Sequence, residues 1–326
     1  MKKIKIISLG GTISYIGSTN KYLNAYELSN QIDGLSKIAN ISHTSFINKS
    51  SSSLLMQDIL DLANYIRLQT LEGIDAFVVT QGTDNIEETS FMLDILLGTS
   101  VPVIVTGAMK NPQLLGADGL ANLMSSVELA NSKEVEGFGV LVCFNDEIHL
   151  PLFVRKTHTQ NINTFKSEFG PIGWLAEGKP RIVLKFIDLI EEGITDLDDI
   201  EPSVCLYTTY FNDDGRLLKN IVSSNYKGLV IEGMGGGHVP SFIAQNVIQI
   251  AKEIPVILAS RTPNGEVLNS TYSGYEGSET YLLNNGLISA GFLDSRKARV
   301  LLTILLEKNY SIQEVKRIFS KYSTFT

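Results

Sequence analysis

The sequence contains little cysteine and little histidine, and its apolar runs are short. Only two cysteines occur, Cys143 and Cys205. Both lie within apolar runs, so we interpret them as small core residues and not as a disulfide. No apolar run approaches the roughly 20 residues that a membrane-spanning helix needs, so we expect no membrane partner. The first residues, MKKIKIISLGG, hold a run too short for a signal peptide and predict a strand, so we expect a cytoplasmic protein.

Several common catalytic and ligand-binding motifs are absent. The four histidines are scattered along the chain, at His43, His149, His158 and His238. Neither they nor the cysteines form a metal-binding pattern, so we predict no metal. There is no Gly-x-Ser-x-Gly elbow and no Walker phosphate loop, and the glycines before His238 lack the dinucleotide fingerprint. Hydroxyls, carboxylates and lysines therefore remain as the candidates for chemistry.

Charge and length set the class of protein. The net charge is -8 and the sequence has no basic cluster, so nucleic acid is not an expected partner. Hydrophobic residues make up 44% and charged residues 19%, which is ordinary for a globular protein with a sizeable core. A chain of 326 residues fits two domains better than one.

Strands alternate with helices over most of the chain, which predicts βαβ units and parallel sheets. Strands are predicted at 4–9, 41–47, 76–79, 101–105, 137–144, 181–187, 228–231 and 254–259, and helices at 26–35, 55–70, 118–130, 296–307 and 312–319. Residues 151–180 break this alternation and look polar and turn-rich. We therefore predict an α/β protein with a larger N-terminal parallel-sheet domain (1–187), a linker (188–201) and a smaller C-terminal α/β domain (202–326).

One turn concentrates polar groups at the end of a predicted strand. Thr80-Gln81-Gly82-Thr83-Asp84 follows the apolar run Ala76 to Val79 and precedes a helical pattern. Ligands of open α/β sheets bind at the carboxyl ends of strands, so this turn is a candidate site. Locally, Asp84 and Glu87 have the spacing of a helix capping box. The two interpretations are compatible, because Asp84 can cap a helix and also take part in chemistry.

Threonine is the candidate nucleophile at two strand ends. Thr12 follows the first strand, after Gly10 and Gly11, and Thr83 follows the strand at 76–79. A threonine hydroxyl attacks only after a base takes its proton, and a desolvated lysine can serve as that base. Lys156 is our preferred lysine and Lys110 its competitor. The alternative for Lys156 is an ordinary solvated surface lysine.

Taken together, the motifs resemble those of the bacterial L-asparaginase family, and the similarity covers nearly the whole chain. They are Gly-Gly-Thr-Ile at 10–13, Thr-Gln-Gly-Thr-Asp at 80–84 with Glu87-Glu88-Thr89, Thr-Gly-Ala-Met at 106–109, Ala-Asp-Gly at 117–119 with Asn122-Leu123, Lys-Thr-His-Thr at 156–159, Thr-Phe-Lys-Ser at 164–167, and Asp294 with Lys297-Ala298-Arg299. The resemblance implies two α/β domains and hydrolysis of asparagine to aspartate and ammonia without a cofactor. It also implies a homodimer or homotetramer with shared active sites.

The resemblance also implies roles for individual residues. Thr12 would be the nucleophile of an acyl-enzyme, Thr83, Asp84 and Lys156 would handle protons, and Tyr22 would orient Thr12. Ser51 and Asp84 would hold the α-carboxylate and α-amino group of the substrate, and Glu279 would reach the site of the neighbouring subunit. The implied substrate-binding residues are Gly11, Ser51, Ser52, Gly82, Thr83, Asp84, Ala108 and Glu279.

Two departures from the family pattern leave the substrate open. The periplasmic members carry glutamine where this chain has Ser52, and an asparagine where it has Gly236. The alternatives are the same chemistry on glutamine, a D-amino acid amide or a peptide amide, or a non-catalytic amino-acid-binding protein.

The residues around Glu279 indicate a different role from the one that the resemblance implies. Glu279 follows a stretch rich in glycine and serine, and from that sequence alone it looks like an exposed loop carboxylate.

Overall fold

A computed structural model of the chain describes residues 1–13, 15–16, 21–22, 25–32, 34–98, 101–184 and 193–323, and the side chains of 15–16 and 21–22 lie outside that description. The chain divides into two compact units, Met1–Asp196 and Leu197–Thr326. The linker predicted at 188–201 begins outside the described residues, so its bounds stay a prediction. The α/β class of both units is as predicted.

Unit 1 contains the larger sheet. The strands of unit 1 are β1 (Lys3–Ser8), β2 (Tyr15–Ile16), β3 (Lys21–Tyr22), β4 (Asn40–Ser45), β5 (Ala76–Thr80), β6 (Val103–Thr106), β7 (Val140–Phe144), β8 (Glu147–His149), β9 (Val154–Lys156), β10 (Phe165–Ser167), β11 (Gly173–Ala176) and β12 (Lys179–Ile182). Its α-helices are α1 (Ala25–Ser29), α2 (Leu35–Ile38), α3 (Met56–Leu71), α4 (Ile86–Leu97) and α5 (Gly119–Asn131).

The described part of unit 1 forms an eight-stranded sheet in the order β12-β11-β8-β7-β6-β5-β1-β4. The strands from β4 to β7 pair in parallel, and β8, β11 and β12 extend the sheet antiparallel. Apolar strand residues such as Ile6, Val78 and Ile104 form a buried cluster with Leu123 and Val127 of α5. Because the central strands are parallel, their carboxyl ends all lie along one edge of the sheet.

The structure corrects two predictions for unit 1. The helix predicted at 26–35 is instead two short helices, α1 and α2, because Gly34 has a left-handed φ of 90° that a continuous helix does not allow. The stretch 151–180, predicted as irregular, contains β9, β10, β11 and the start of β12. Those strands are three or four residues long and partly polar, so they lack the apolar run by which longer strands are recognised.

Unit 2 contains a smaller, entirely parallel sheet. Its strands are β13 (Val204–Thr208), β14 (Gly228–Gly233), β15 (Val256–Ser260) and β16 (Ile288–Ser289), and its α-helices are α6 (Ser241–Ala251), α7 (Glu279–Asn284), α8 (Ser295–Glu307) and α9 (Ile312–Ser320). The sheet order is β13-β14-β15-β16. Residues of α6 such as Ile243 and Val247 share a buried core with Ile231 and Leu258 of the sheet.

Candidate active site

The loops after β1 and β5 touch at Gly11 and Gly82. The two strands are parallel neighbours, with Ser8 opposite Thr80, so their carboxyl ends adjoin. Gly11 has φ of +86°, and a Cβ atom there would lie 2.1 Å from the backbone nitrogen of Gly82. Only glycine allows this approach. The contact therefore brings the half-buried Thr12 and the buried Thr83 onto adjoining loops.

Lys156, at the end of β9, reaches the turn that follows β5. Its Nζ donates to Thr83 Oγ1 at 2.9 Å and to Asp84 Oδ1 at 3.1 Å. The lysine side chain is 17% exposed, so the solvated-surface alternative for Lys156 is wrong. Lys110, the competing lysine, lies in the turn after β6, where its backbone N–H donates to Asp118. The structure thus brings together three of the residues predicted to handle protons.

Asp84 is held by groups from two distant segments. Ser51 Oγ donates to Asp84 Oδ2 at 3.0 Å, while the backbone N–H of Asp84 donates back to Ser51 Oγ at 3.2 Å. Partial burial on its own raises the pKa of Asp84, but the hydrogen bonds from Lys156 and Ser51 and the lysine charge outweigh it, so the net pKa is lowered. The carboxylate is therefore kept ionised in a position where it can attract a cationic group.

The predicted capping box between Asp84 and Glu87 does not form. Asp84 lies within a 3₁₀ turn, Thr83–Asn85, and the residue before α4 makes no side-chain capping bond. Glu87 is buried, and its Oε2 accepts the backbone N–H of Lys156 at 2.8 Å. Glu87 therefore fixes the strand end that carries the lysine. Its sequence signal, an acid in the first turn of a helix, suggested only a local role.

The segment after β6 is held by α5. The buried carboxylate of Asp118 accepts the backbone N–H groups of Met109 and Lys110, and Asn122 Nδ2 donates to the Gly107 carbonyl at 3.0 Å. Ala108, a predicted substrate-binding residue, is buried within this segment. The Thr-Gly-Ala-Met and Ala-Asp-Gly motifs are thus one packed unit at the same sheet edge as Thr83.

The structure does not connect two predicted residues of unit 1, Ser52 and Tyr22, to the group of Thr83, Asp84 and Lys156. Ser52 is exposed, and its hydroxyl lies 3.0 Å from that of Ser50. The backbone of Tyr22 pairs with Tyr15 in the β2–β3 hairpin, but its side chain lies outside the described residues. A role for Tyr22 beside Thr12 therefore stays a prediction.

Glu279 is not the exposed loop carboxylate that its surroundings indicated. It is the first residue of α7 and is fully buried in unit 2. Its carboxylate accepts from His238 Nε2 at 3.0 Å and from the backbone N–H of Tyr272 at 2.8 Å. The ring of His238 packs edge-on against Tyr272. These contacts come from segments far apart in sequence, so the flanking residues could not reveal them.

A separate cavity of about 630 Å³ lies at the other edge of the larger sheet. It is lined mostly by residues 29–39, around α1 and α2, together with Met1, which precedes β1, and Asn40 and His43 of β4. The candidate site lies at the carboxyl ends of the same strands, so the cavity is not part of it.

Within the described residues, no group of three or more acidic, histidine or cysteine side chains is arranged to hold a metal ion. No helix in that part of the chain has the length and apolar character to cross a membrane.

Comparisons with known proteins match both units to domains of one family. Residues 3–187 match the family model described as asparaginase, N-terminal, and residues 203–319 match the glutaminase/asparaginase C-terminal domain. L-asparaginase 2 of Escherichia coli is 30% identical, with 99% of this chain and 94% of that protein covered. L-asparaginase 2 of Bacillus subtilis is also 30% identical, over 99% of this chain and 87% of that protein.

A solved structure and a further relative extend the comparison. The crystal structure of a probable cytoplasmic L-asparaginase from Campylobacter jejuni has a TM-score of 0.89 and 31% identity, covering 99% of this chain and 100% of that one. A glutaminase-asparaginase from Pseudomonas fluorescens is 28% identical, over 99% of this chain and 91% of its own length. Both family domains, the site motifs and the fold agree, and the chain therefore belongs to the asparaginase family of amidohydrolases.

Proposed function

We propose that this enzyme hydrolyses L-asparagine to L-aspartate and ammonia through an acyl-enzyme on Thr12. The observation that carries the proposal is the contact of Gly11 with Gly82, which joins the loop of Thr12 to the turn of Thr83 and Asp84. A nucleophile and its proton-handling partners have to be adjacent for such chemistry. L-Asparagine is the substrate in the names of the relatives from Escherichia coli and Bacillus subtilis.

In the proposed reaction, the Thr12 hydroxyl oxygen attacks the side-chain amide carbon of asparagine. Its proton passes to the Thr83–Lys156 pair, whose heteroatoms are 2.9 Å apart. The pair returns a proton to the amide nitrogen as the C–N bond breaks, and ammonia leaves. Water then attacks the threonine ester, which releases aspartate and restores the hydroxyl. No cofactor takes part in these steps.

The same turn supplies recognition of the α-groups of the substrate. The ionised Asp84 would attract the α-ammonium group. The Ser51 hydroxyl, which donates to Asp84 in this structure, would rotate to donate to the α-carboxylate when substrate is bound. Gly11, Gly82 and Ala108 would bound the pocket. Ser52 is proposed to line the pocket as well, and Tyr22 is proposed to orient Thr12.

Glutamine is a second candidate substrate. A glutaminase-asparaginase from Pseudomonas fluorescens is similar to this chain over almost its whole length, so the fold is compatible with both amides. A D-amino acid amide or a peptide amide would be handled by the same chemistry. The deciding experiment measures ammonia release from L-asparagine, D-asparagine, L-glutamine and β-aspartyl amides. We expect the highest kcat/KM on L-asparagine, and release only from another member of the panel would reassign the substrate.

The assembly and location are part of the proposal. We propose that the enzyme is a homodimer or homotetramer in which Glu279 contributes to the site of the neighbouring subunit. We also propose that it acts in the cytoplasm. The similar protein from Campylobacter jejuni is described as a probable cytoplasmic L-asparaginase, which supports that location. Sedimentation measurements on the purified enzyme would test the assembly.

A further inference from the structure

Three segments of unit 1 meet in tight contact at the turn after β5. Ser51 follows β4, Gly11 follows β1 and Gly82 follows β5, and β1 lies between the other two strands in the sheet. A Cβ atom on Gly82 would lie 2.5 Å from Ser51 Oγ. The Ser51 segment therefore reaches across the end of β1 to meet the turn of Asp84. Because β4 and β5 are not paired with each other, side chains have to hold the Ser51 segment against the turn of Asp84.

A directed chain of side-chain hydrogen bonds provides the connection. Thr89 Oγ1 donates to Gln81 Oε1 at 2.8 Å, Gln81 Nε2 donates to Asn85 Oδ1 at 3.1 Å, and Asn85 Nδ2 donates to the Ser51 carbonyl at 2.8 Å. Gln81 is fully buried, and its Nε2 also donates to the Gly82 carbonyl at 3.2 Å.

The donors in this chain all point one way. The Thr89 hydroxyl sets which end of the Gln81 amide accepts, and Gln81 in turn sets the orientation of Asn85. The Asn85 N–H group is thereby aimed at Ser51. The buried Thr89 and Gln81 and the partly buried Asn85 are costly to leave unpaired, so the chain favours a single position of the Ser51 backbone.

We propose that Gln81 and Asn85 are positioning residues that set the selectivity for substrates with a free α-ammonium group. They fix the backbone of Ser51 so that its hydroxyl stays within hydrogen-bond distance of Asp84. Neither amide needs to touch the reacting atoms, so the chain governs binding of the α-groups and leaves the chemical step alone. This inference rests on the proposed function, in which Ser51 and Asp84 hold those groups.

The test uses Asn85→Ala, because Asn85 is only partly buried and makes the final link to Ser51. We expect KM for L-asparagine to rise about tenfold with kcat within about twofold of wild type, because the substitution removes the hydrogen bond to the Ser51 carbonyl and also takes one acceptor from the Gln81 amide. The preference for L-asparagine over succinamate, which lacks the α-amino group, should fall about fivefold by the same reasoning. Asn85→Asp should raise KM at least as much as Asn85→Ala does, because its carboxylate would face the Ser51 carbonyl oxygen.

Two further variants separate positioning from general loss of packing. Ser126→Ala removes one buried hydrogen bond, from Ser126 Oγ to the Asn122 carbonyl, without touching the chain, so its KM should stay at the wild-type value. Thr89→Val removes only the first link and should raise KM less than Asn85→Ala does. Thermal melting of all variants checks that they are folded.

Binding of L-aspartate, measured by calorimetry, makes the failure of this inference distinguishable from failure of the proposed function. A wild-type enzyme that neither releases ammonia from L-asparagine nor binds aspartate would overturn the proposed function. If the wild type does both and folded Asn85→Ala keeps its KM, its succinamate ratio and its aspartate affinity, the positioning role is overturned. A fall in kcat alone would also reject it, because that would place the chain in the chemical step.

Discussion

The Nζ atom of Lys156 lies 2.9 Å from Oγ1 of Thr83, although the two residues are 73 positions apart in the chain. The lysine is presented by β9, and its backbone N–H is bound by the buried carboxylate of Glu87. Glu87 lies in the first turn of the helix that follows Thr83. One helix start therefore fixes both partners of the pair, which explains how a flexible lysine side chain is held at one hydroxyl.

Lys156→Met and Thr83→Val should each lose nearly all turnover, and the double variant should be little worse than either one. Residues that act as one proton relay give strongly non-additive losses, because removing either already breaks the relay. The measurement is kcat/KM for ammonia release by the four members of the double-mutant cycle. Losses that multiply would show that the two residues act independently.

Lys110→Met is the matched control for the lysine substitution. Lys110 is half-buried at the same edge of the sheet, and its backbone N–H is the group that Asp118 binds. Loss of its ammonium group should therefore change kcat/KM by less than about tenfold, well short of the loss in a catalytic variant. A comparable loss in both lysine variants would mean that net positive charge near the site matters, and not the Lys156–Thr83 contact.

Thr12→Ala should abolish turnover and leave the protein folded. The hydroxyl is the proposed attacking group, and loss of a nucleophile commonly lowers the rate by a factor of roughly a thousand or more. The variant should still bind L-aspartate, because Ser51 and Asp84 are unchanged. Single-turnover assays and melting curves test both expectations. Activity above a tenth of wild type would rule out Thr12 as the nucleophile.

Much of the fold could be predicted because its main elements carry strong local patterns. The run Ala76–Thr80 is buried throughout, and such apolar strands are visible in sequence. The short β9–β10 hairpin was missed because its stability comes from tertiary contacts. Phe165 of β10 packs against Phe144 of β7 with the two rings tilted, and Lys166 pairs with Glu147 of β8. No local pattern of the hairpin itself encodes those partners.

The site shows the same limit at the level of single residues. Asp84 and Glu87 have the spacing of a capping box, but each binds a partner from another segment. A capping interaction contributes only about 1 kcal/mol, so a charged partner such as Lys156 can displace it. Sequence could place Asp84 and Lys156 as candidates through the family motifs. It could not show that Glu87 holds the lysine strand.

Acid should destabilise unit 1 through His149. This buried histidine lies 2.9 Å from Ser167 Oγ, and burial lowers its pKa to about 4, with Lys166 acting in the same direction and Glu147 opposing it. In the unfolded chain the imidazole titrates near its ordinary value of 6.5. Between these values the unfolded state binds more protons, so stability falls as the pH drops from 6.5 to 4, by up to about 3 kcal/mol.

The measurement is the free energy of unfolding in urea at pH 7 and at pH 4.5 for wild type and His149→Asn. Asparagine keeps a polar atom near Ser167 but cannot ionise, so the variant should lose less stability on acidification than wild type does. Equal pH dependence in wild type and His149→Asn would place the acid sensitivity elsewhere.

The last prediction concerns the buried pair of His238 and Glu279. The Glu279 carboxylate is enclosed within its own unit, and the His238 imidazole that binds it is partly exposed. If this pair completes the site of a neighbouring subunit, each subunit supplies one part of two sites. Thr12→Ala and Glu279→Gln should then both have low activity as pure proteins. Glutamine is chosen because it keeps the volume of the buried side chain.

Mixing the two variants by joint unfolding and refolding should restore activity. In a hybrid dimer, one site carries both defects and the other carries neither. Half of the dimers are hybrids with one intact site each, so activity should recover to about a quarter of wild type. A mixture of Thr12→Ala with Asp84→Asn is the control, because both substitutions lie in unit 1 and every hybrid site would keep one defect. No recovery in the first mixture, with hybrids verified by native mass spectrometry, would place Glu279 in the site of its own subunit or outside any site.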